Sequence, residues 1–425
     1  MKLRVERSNV SGCVKIPGSK SHTIRALFIA SLAAGRSVIT NPLISDDALS
    51  AVAVCKAFGA GIQNTGDKFI VDGFNGKPSI PDDVINVGNS GTTLRIGLMT
   101  AGLIDGCTVF TGDYQIRRRP LEPLITAMNS LGANVFSVKG NSMVPVVIRG
   151  RLKGGKTKLD AMTSQFLTSI LINAPLLEND TEILVTRLNE IPYVDMTMWW
   201  LENQGIEYSN DNYRTIIVRG NQSYKPFTAA IPGDFSSATF FMVQAAVSGG
   251  ELTLKNLDIT DPQGDKLVLD YLKAMGADIS IGADCICVKG NNLKGIEIDM
   301  NATPDALPAM AVAGCFAEGE TRLVNVPQAR MKETDRIHVM FTELRKMGAD
   351  IEELPDGLIV RHSRLNGTRV CGHDDHRIVM ALAVAGMNSD AVTTIDGAEA
   401  MNVTFPDFVS LMSSCGGNLR MVEAN

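Results

Sequence analysis

Residues 268–281 read VLDYLKAMGADISI: an amphipathic run at helical spacing, a glycine, and then a strand-like segment. Gly276 can adopt the positive φ that ends a helix, and an extended chain can leave from it. The same phrase occurs five more times. It stands as VAVCKAFGAGI around Gly59, ITAMNSLGANV around Gly132, WWLENQGIEY around Gly205, FTELRKMGADIEE around Gly348 and FVSLMSSCGGNL around Gly416. One glycine-ended helix carries no information, because helices commonly end that way. Six of them, 68 to 73 residues apart, mean an internally repeated α/β unit.

A chain of 425 residues is too long for a single hydrophobic core, so the six units are expected in two lobes of three. The breaks fall at the Pro-Gly turns: one near Ile231-Pro232-Gly233-Asp234 and one near Pro17-Gly18, with the initial strand returning to the second half. This gives lobe one as residues 19–232 and lobe two as 1–18 plus 233–425. Apolar content of 45% and charged content of 20% are ordinary for a globular protein. The net charge of −6 argues against a nucleic-acid partner but permits a local cationic pocket. Eight scattered cysteines form no CxxC and read as reduced core thiols. The opening MKLRVERSNV has no apolar signal core, and runs such as 306–316 are too short to span a bilayer. A cytosolic (cytoplasmic) protein with no membrane partner is expected.

Several short stretches carry charge where an apolar helix begins. In Lys15–Leu27, KIPGSKSHTIRAL, a Pro-Gly turn leads into a helix read from Ile24 to Ala33, with Ser19 and Ser21 as candidate caps. Lys20 adds a mobile cation there, and Ser21 and Arg25, four apart, share a face. Gly88–Arg95, GNSGTTLR, follows a strand read at 84–87 and places Gly91 where a backbone N–H can approach an anion. Arg117-Arg118-Arg119-Pro120 sets three guanidinium groups before a proline expected to start a helix. Thr163-Ser164-Gln165 caps another apolar run, and Asp305 opens the helix read at 306–316. In Arg330–Arg336, RMKETDR, a helix would put Lys332 and Arg336 on one face with Glu333 beside them. His373-Asp374-Asp375-His376-Arg377 invites a metal reading, but no partner carboxylate cluster has suitable spacing, and no metal is expected.

Taken together, GSKSxxxRAL, GNSGTTxR, RRRP, SQFLTSxLxxAP, GDFSSATFF, PDA, RxKETDR and DDHR stand in the order and spacing that resembles the 5-enolpyruvylshikimate-3-phosphate synthases, from Lys15 to about Phe408. The resemblance implies an α/β, two-lobed enolpyruvyl-transferase fold (an inverse α/β barrel) of six βαβαββ repeats, three per lobe. It implies a transfer of the enolpyruvyl group of phosphoenolpyruvate to the 5-hydroxyl of shikimate 3-phosphate with release of phosphate, without cofactor, by a monomer. Carried over by position, Lys20, Ser21, Arg25, Thr163, Ser164 and Gln165 resemble contacts to shikimate 3-phosphate, as do Asp305, Gln328 and Lys332. Lys20, Gly91, Arg119, Gln165, Arg336 and Arg377 resemble the phosphoenolpyruvate contacts. Asp305 and Glu333 match the proton-handling carboxylates, with Lys20 assisting.

Phosphoenolpyruvate carries close to three negative charges beside a second phosphate, and Lys20, Arg25, Arg119, Lys332, Arg336 and Arg377 would balance them. The chain departs from the family pattern in places. Thr163 stands where serine is usual, Glu190 replaces a serine before Pro192-Tyr193, and Gln328 replaces an asparagine. Val403 replaces a lysine near the carboxyl end, which removes one cation from the phosphoenolpyruvate pocket. Ile96 replaces a proline in the helix after Gly91, and reduced sensitivity to the family's inhibitor glyphosate is expected from it. The alternatives are a UDP-N-acetylglucosamine enolpyruvyl transferase, which usually carries a cysteine in the loop matching 113–118, and a non-catalytic anion-binding paralogue.

Overall fold

The computed structural model describes residues 1–282 and 285–423. Each of the six repeat glycines has a positive φ: 103° at Gly59, 110° at Gly132, 69° at Gly205, 111° at Gly276, 92° at Gly348 and 98° at Gly416. A Cβ is disfavoured in that conformation, which is why glycine recurs there. The helices before them are Asp46–Ala57, Glu122–Ser130, Ile191–Asn203, Leu267–Met275, Arg336–Lys346 and Phe408–Ser414. A strand leaves each glycine and pairs antiparallel with the strand that closes the repeat.

The second repeat shows the plan. Ile85–Asn86 lies parallel to Cys107–Thr111, with the helix Gly91–Ala101 between them in sequence. Cys107–Thr111 pairs antiparallel with Val146–Arg149, which pairs with Asn134–Ser137. Among the described residues all six four-stranded sheets follow this βαβαββ order.

The chain divides into two compact units, Lys20–Ile231 and Met1–Ser19 with Pro232–Asn425. Its amino terminus is shared out between repeats. Lys2–Glu6 lies between Thr393–Asp396 and Asn418–Val422 and completes the last repeat, 390 residues away in sequence. Ser11–Lys15 opens the fourth repeat by pairing parallel with Glu251–Lys255. Thr228–Ala230 likewise opens the first, against Arg36–Thr40. The chain therefore changes unit directly after an opening strand, twice. The Ser19 N–H donates to Pro232 O at 2.8 Å and the Asp234 N–H to Pro17 O at 2.9 Å, around a Gly18–Gly233 bridge. A Cβ on Gly233 would lie 2.2 Å from Asn256 O, so no side chain fits at this turn.

Helices that follow an opening strand are apolar all round and buried accordingly. Every residue of Gly91–Ala101 and of His376–Met387 is buried. The helices that end at the repeat glycines bury a stripe instead, as Val268, Leu269, Leu272 and Met275 do in Leu267–Met275. Strands such as Lys68–Asp72 alternate between buried and half-exposed positions. Helices thus fill the inside of each unit and sheets line the outside, the inverse α/β arrangement. The helix read from Ile24 begins earlier, at Lys20, and ends at Leu32.

Leu3 is fully buried on a strand paired along both edges. Leu3→Ala is expected to lower unfolding free energy by about 2–5 kcal/mol, measured by urea denaturation. A loss below about 1 kcal/mol would show that the strand adds little to the last repeat.

Candidate functional site

In the unit Lys20–Ile231, the charged motifs lie at the starts of its inner helices. Lys20 Nζ stands 3.2 Å from Asp47 Oδ2. Arg25 is only 2% exposed, and its hydrogen bonds go to neutral oxygens. Its Nε donates to Thr197 Oγ1 at 2.9 Å, Nη1 to Ser21 O at 3.0 Å, and Nη2 to Thr168 Oγ1 at 3.2 Å and Tyr193 O at 2.8 Å. Burial lowers its pKa to about 10, with Tyr193 pulling weakly the other way. A buried cation held only by neutral acceptors favours an anion beside it.

Gly91 opens the next inner helix. A Cβ there would sit 2.6 Å from Arg119 Nη1, 2.7 Å from Arg95 Nη1 and 3.4 Å from Gln165 Oε1. The missing side chain thus lets two guanidinium groups and an amide meet at one helix start, a setting that suits an anion. Of the three consecutive arginines only Arg119 reaches it. Arg117 donates to Gly112 O at 2.8 Å, and Arg118 lies over the Tyr114 ring. The helix after them starts at Glu122 with Pro123 in its first turn, so Pro120 does not start it. The third inner helix, Ser164–Asn173, is capped by Thr163, whose Oγ1 accepts from the Gln165 N–H at 3.4 Å.

The other unit gathers Asp305, Glu333, Asp375, Lys332, Arg377 and Arg336. Arg336, 1% exposed, donates Nη1 to Asp305 Oδ1 at 2.7 Å, Nη2 to Glu333 Oε2 at 2.6 Å and Nε to Asp375 Oδ2 at 2.8 Å. Burial would lower its pKa, but Asp375, Glu333 and Asp305 outweigh that and raise it. Arg377 Nη2 lies 2.9 Å from Asp305 Oδ2 and Lys332 Nζ 4.0 Å from Oδ1. Asp305 keeps 15% of its side chain exposed. Gln328 donates Nε2 to Asn301 O at 3.0 Å, and its buried Oε1 has no hydrogen-bond partner.

Lys332 and Arg336 do not share a helix, contrary to the i, i+4 reading. Lys332 follows the 3-10 turn Pro327–Met331, and Asp335 caps a new helix by accepting from the His338 N–H at 3.0 Å. A short carboxylate three residues before a free N–H favours such a cap over a continuous helix. The His-Asp-Asp-His run also splits. His373 Nε2 pairs with Glu343 at 2.7 Å, and Asp375 caps His376–Met387 through the Arg377 N–H at 2.9 Å. Burial lowers the His376 pKa to about 3, so that ring is neutral. Among the described residues, no three His, Cys, Asp or Glu side chains are grouped as metal ligands. All eight cysteines are free, and among the described residues no helix is long and apolar enough to cross a membrane.

Sequence reading missed Asp47, Arg95, Asp265 and Asp375. Asp375 could have been found as a cap, since it precedes an apolar run, and Arg95 by its four-residue spacing from Gly91, whose carbonyl it bonds at 3.0 Å; Asp47 meets Lys20 only through the fold. Asp265, hydrogen-bonded by Ser236 Oγ, has its pKa raised to about 6, by burial first and then by Asp305, against the pull of Arg377. Val403 ends the 3-10 segment Ala398–Val403 and is half-buried, while Ile96 is buried within Gly91–Ala101.

The sequence profile of the family described as EPSP synthase (3-phosphoshikimate 1-carboxyvinyltransferase) matches residues 5–412. A relative from Acetivibrio thermocellus named 3-phosphoshikimate 1-carboxyvinyltransferase is 63% identical, over 100% of both chains. One of the same name from Methanocella arvoryzae is 44% identical, over 99% of this chain and 100% of its own. The solved EPSP synthase of Acinetobacter baumannii is 27% identical and superposes with a TM-score of 0.84 over 99% of each chain. The enolpyruvyl transferase NikO of Streptomyces tendae, 18% identical, shares the fold with a TM-score of 0.81 over 100% of this chain and 99% of its own.

The raised pKa of Asp265 has a consequence for stability. Between its ordinary value of 3.8 and about 6, the folded chain holds a proton that the unfolded chain has lost. That contribution is full below about pH 4 and disappears as pH rises through about 6. Relative to Asp265→Asn, the natural protein is expected to lose stability across this window, measured by urea unfolding at stepped pH. A difference that stays flat or grows with pH would contradict the assignment.

Proposed function

This chain belongs to the EPSP synthase family, and we propose that its two clusters supply the side chains for that reaction here. The enolpyruvyl group of phosphoenolpyruvate passes to the 5-hydroxyl of shikimate 3-phosphate, and phosphate is released. The observation that carries the reading is Asp305: a partly exposed carboxylate held by Arg336 at 2.7 Å and Arg377 at 2.9 Å, with Lys332 at 4.0 Å. Such a site offers both a proton acceptor and the cations a multiply charged substrate requires.

Lys20, Ser21, Arg25, Thr163, Ser164 and Gln165 are assigned to shikimate 3-phosphate, with Asp305, Gln328 and Lys332 at its ring hydroxyls. Phosphoenolpyruvate is assigned to Lys20, Gly91, Arg119 and Gln165, and to Arg336 and Arg377. Planar guanidinium forks match its carboxylate and phosphate. In the addition step the 5-oxygen bonds to C2 of phosphoenolpyruvate and gives up its proton, while the methylene carbon takes one, leaving a tetrahedral ketal phosphate. In the elimination step the new methyl loses a proton, the double bond re-forms and the C2–O bond to phosphate breaks. Asp305 is assigned to the hydroxyl proton and Glu333 to the methylene proton, with Lys20 beside the bridging oxygen. The Arg336 guanidinium bonds both carboxylates, which fixes their orientation. Every side chain given a role belongs to one chain, so a monomer suffices.

The test is phosphate release from shikimate 3-phosphate plus phosphoenolpyruvate, with neither substrate alone giving a signal. Asp305→Asn and Glu333→Gln are each expected to lower kcat by about 10²–10⁴-fold, with a much smaller effect on binding of shikimate 3-phosphate. Near-normal kcat in both would refute the roles given. At Gly91→Ala the new methyl meets the tips of Arg119 and Arg95, which are flexible enough to move aside. The KM for phosphoenolpyruvate is expected to rise roughly tenfold, the loss of about one charge-assisted hydrogen bond, with folding retained. An unchanged KM would place phosphoenolpyruvate elsewhere.

A further inference from the structure

The start of helix Ser164–Asn173 already holds an anion. Glu190, 1% exposed, accepts through one oxygen, Oε2, from Ser164 Oγ at 2.7 Å, from the Ser164 N–H at 3.1 Å and from Thr163 Oγ1 at 3.3 Å. It is the residue before helix Ile191–Asn203, and its φ of 61° and ψ of 44° put it in the left-handed region. Arg25 lies one helical turn further on. It bonds Thr168, four residues after Ser164, and the carbonyl of Tyr193, three after Glu190.

Thr163 and Ser164, which give these donors, are assigned above to shikimate 3-phosphate, and as hydroxyl and N–H donors they suit its phosphate. Each donor has a single proton to give, and a carboxylate and a phosphate dianion at the same donors would repel strongly. We propose that Glu190 is a resident stand-in for that phosphate, which shikimate 3-phosphate must displace from Thr163 and Ser164. The proposal rests on the reading that Thr163 and Ser164 hold the phosphate. Glu190 then has two effects. It keeps a buried helix start satisfied and shaped before substrate arrives, and it subtracts from the affinity for a phosphorylated ring while leaving an unphosphorylated one untouched. It therefore sets how strongly the protein prefers the phosphorylated substrate.

The experiment measures dissociation constants of shikimate 3-phosphate and of shikimate by titration calorimetry, for the natural protein, Glu190→Gln and Glu190→Ser. Gln keeps an acceptor without the charge, and Ser withdraws the group. In both, shikimate 3-phosphate is expected to bind roughly tenfold tighter and shikimate within about twofold of the natural value. Unchanged or weaker binding of shikimate 3-phosphate in either folded variant overturns the proposal. If neither variant folds, a crystal structure of the natural protein with shikimate 3-phosphate decides. The carboxylate is expected to have left Ser164, and finding it still bonded there refutes the idea. Turnover of both substrates by the natural protein is the control. Its absence overturns the activity reading and this proposal together, whereas normal turnover with an unchanged preference overturns this proposal alone.

Discussion

A guanidinium that is 1% exposed has given up its water, and Arg336 meets three carboxylates in its place. Taking its charge out of water is unfavourable by several kcal/mol, and the attraction of Asp305, Glu333 and Asp375 offsets this only because the geometry is close to ideal. Much of that unit's chemistry follows from this contact. Asp375 must sit before His376–Met387, where it also caps the Arg377 N–H. Asp305 must stand between Arg336 and Arg377, which fixes its two oxygens. Glu333 is offered by the irregular segment between Met331 and Arg336, three residues before the guanidinium it pairs with.

The two units solve the same structural problem with different chemistry. Each has inner helices whose first N–H groups are buried and need acceptors. In Lys20–Ile231 a hydroxyl, Thr163, caps one inner helix, so cations such as Arg25 are left facing neutral oxygens. In the other unit Asp234 and Asp375 cap through carboxylates, and Asp375 then also balances Arg336. One pattern of backbone thereby carries cations among neutral oxygens in one unit and arginines among carboxylates in the other. Glu190 is the exception in the first unit, a carboxylate among hydroxyl donors.

Burial explains why the repeat survives such different sequences. Six glycines hold positive φ, and between them only the apolar pattern is kept. Each helix after an opening strand is apolar on every side because it has no face in water, and each helix ending at a glycine needs only a stripe. Charge is then free to vary at the inner helix starts, where the packing pattern imposes least.

The sequence by itself determined the repeat, the α/β class and the identity of most charged groups, because glycine-ended helices and apolar periodicity are local and leave their mark within a dozen residues. It also pointed to Gly91 as a place where a backbone approach needs a residue without Cβ. Only the tertiary structure decided which charges meet. Lys2–Glu6 joins strands nearly 400 residues away, and no local pattern encodes that pairing. RMKETDR had the spacing of one helix face, but Asp335 caps a new turn and sends Lys332 and Arg336 in by different routes to Asp305. Glu190 stood in the sequence as a departure without a consequence. Its carboxylate reaches Ser164 because two successive α-helices start side by side, and the energy of a buried charge depends on what surrounds it rather than on its neighbours in the chain.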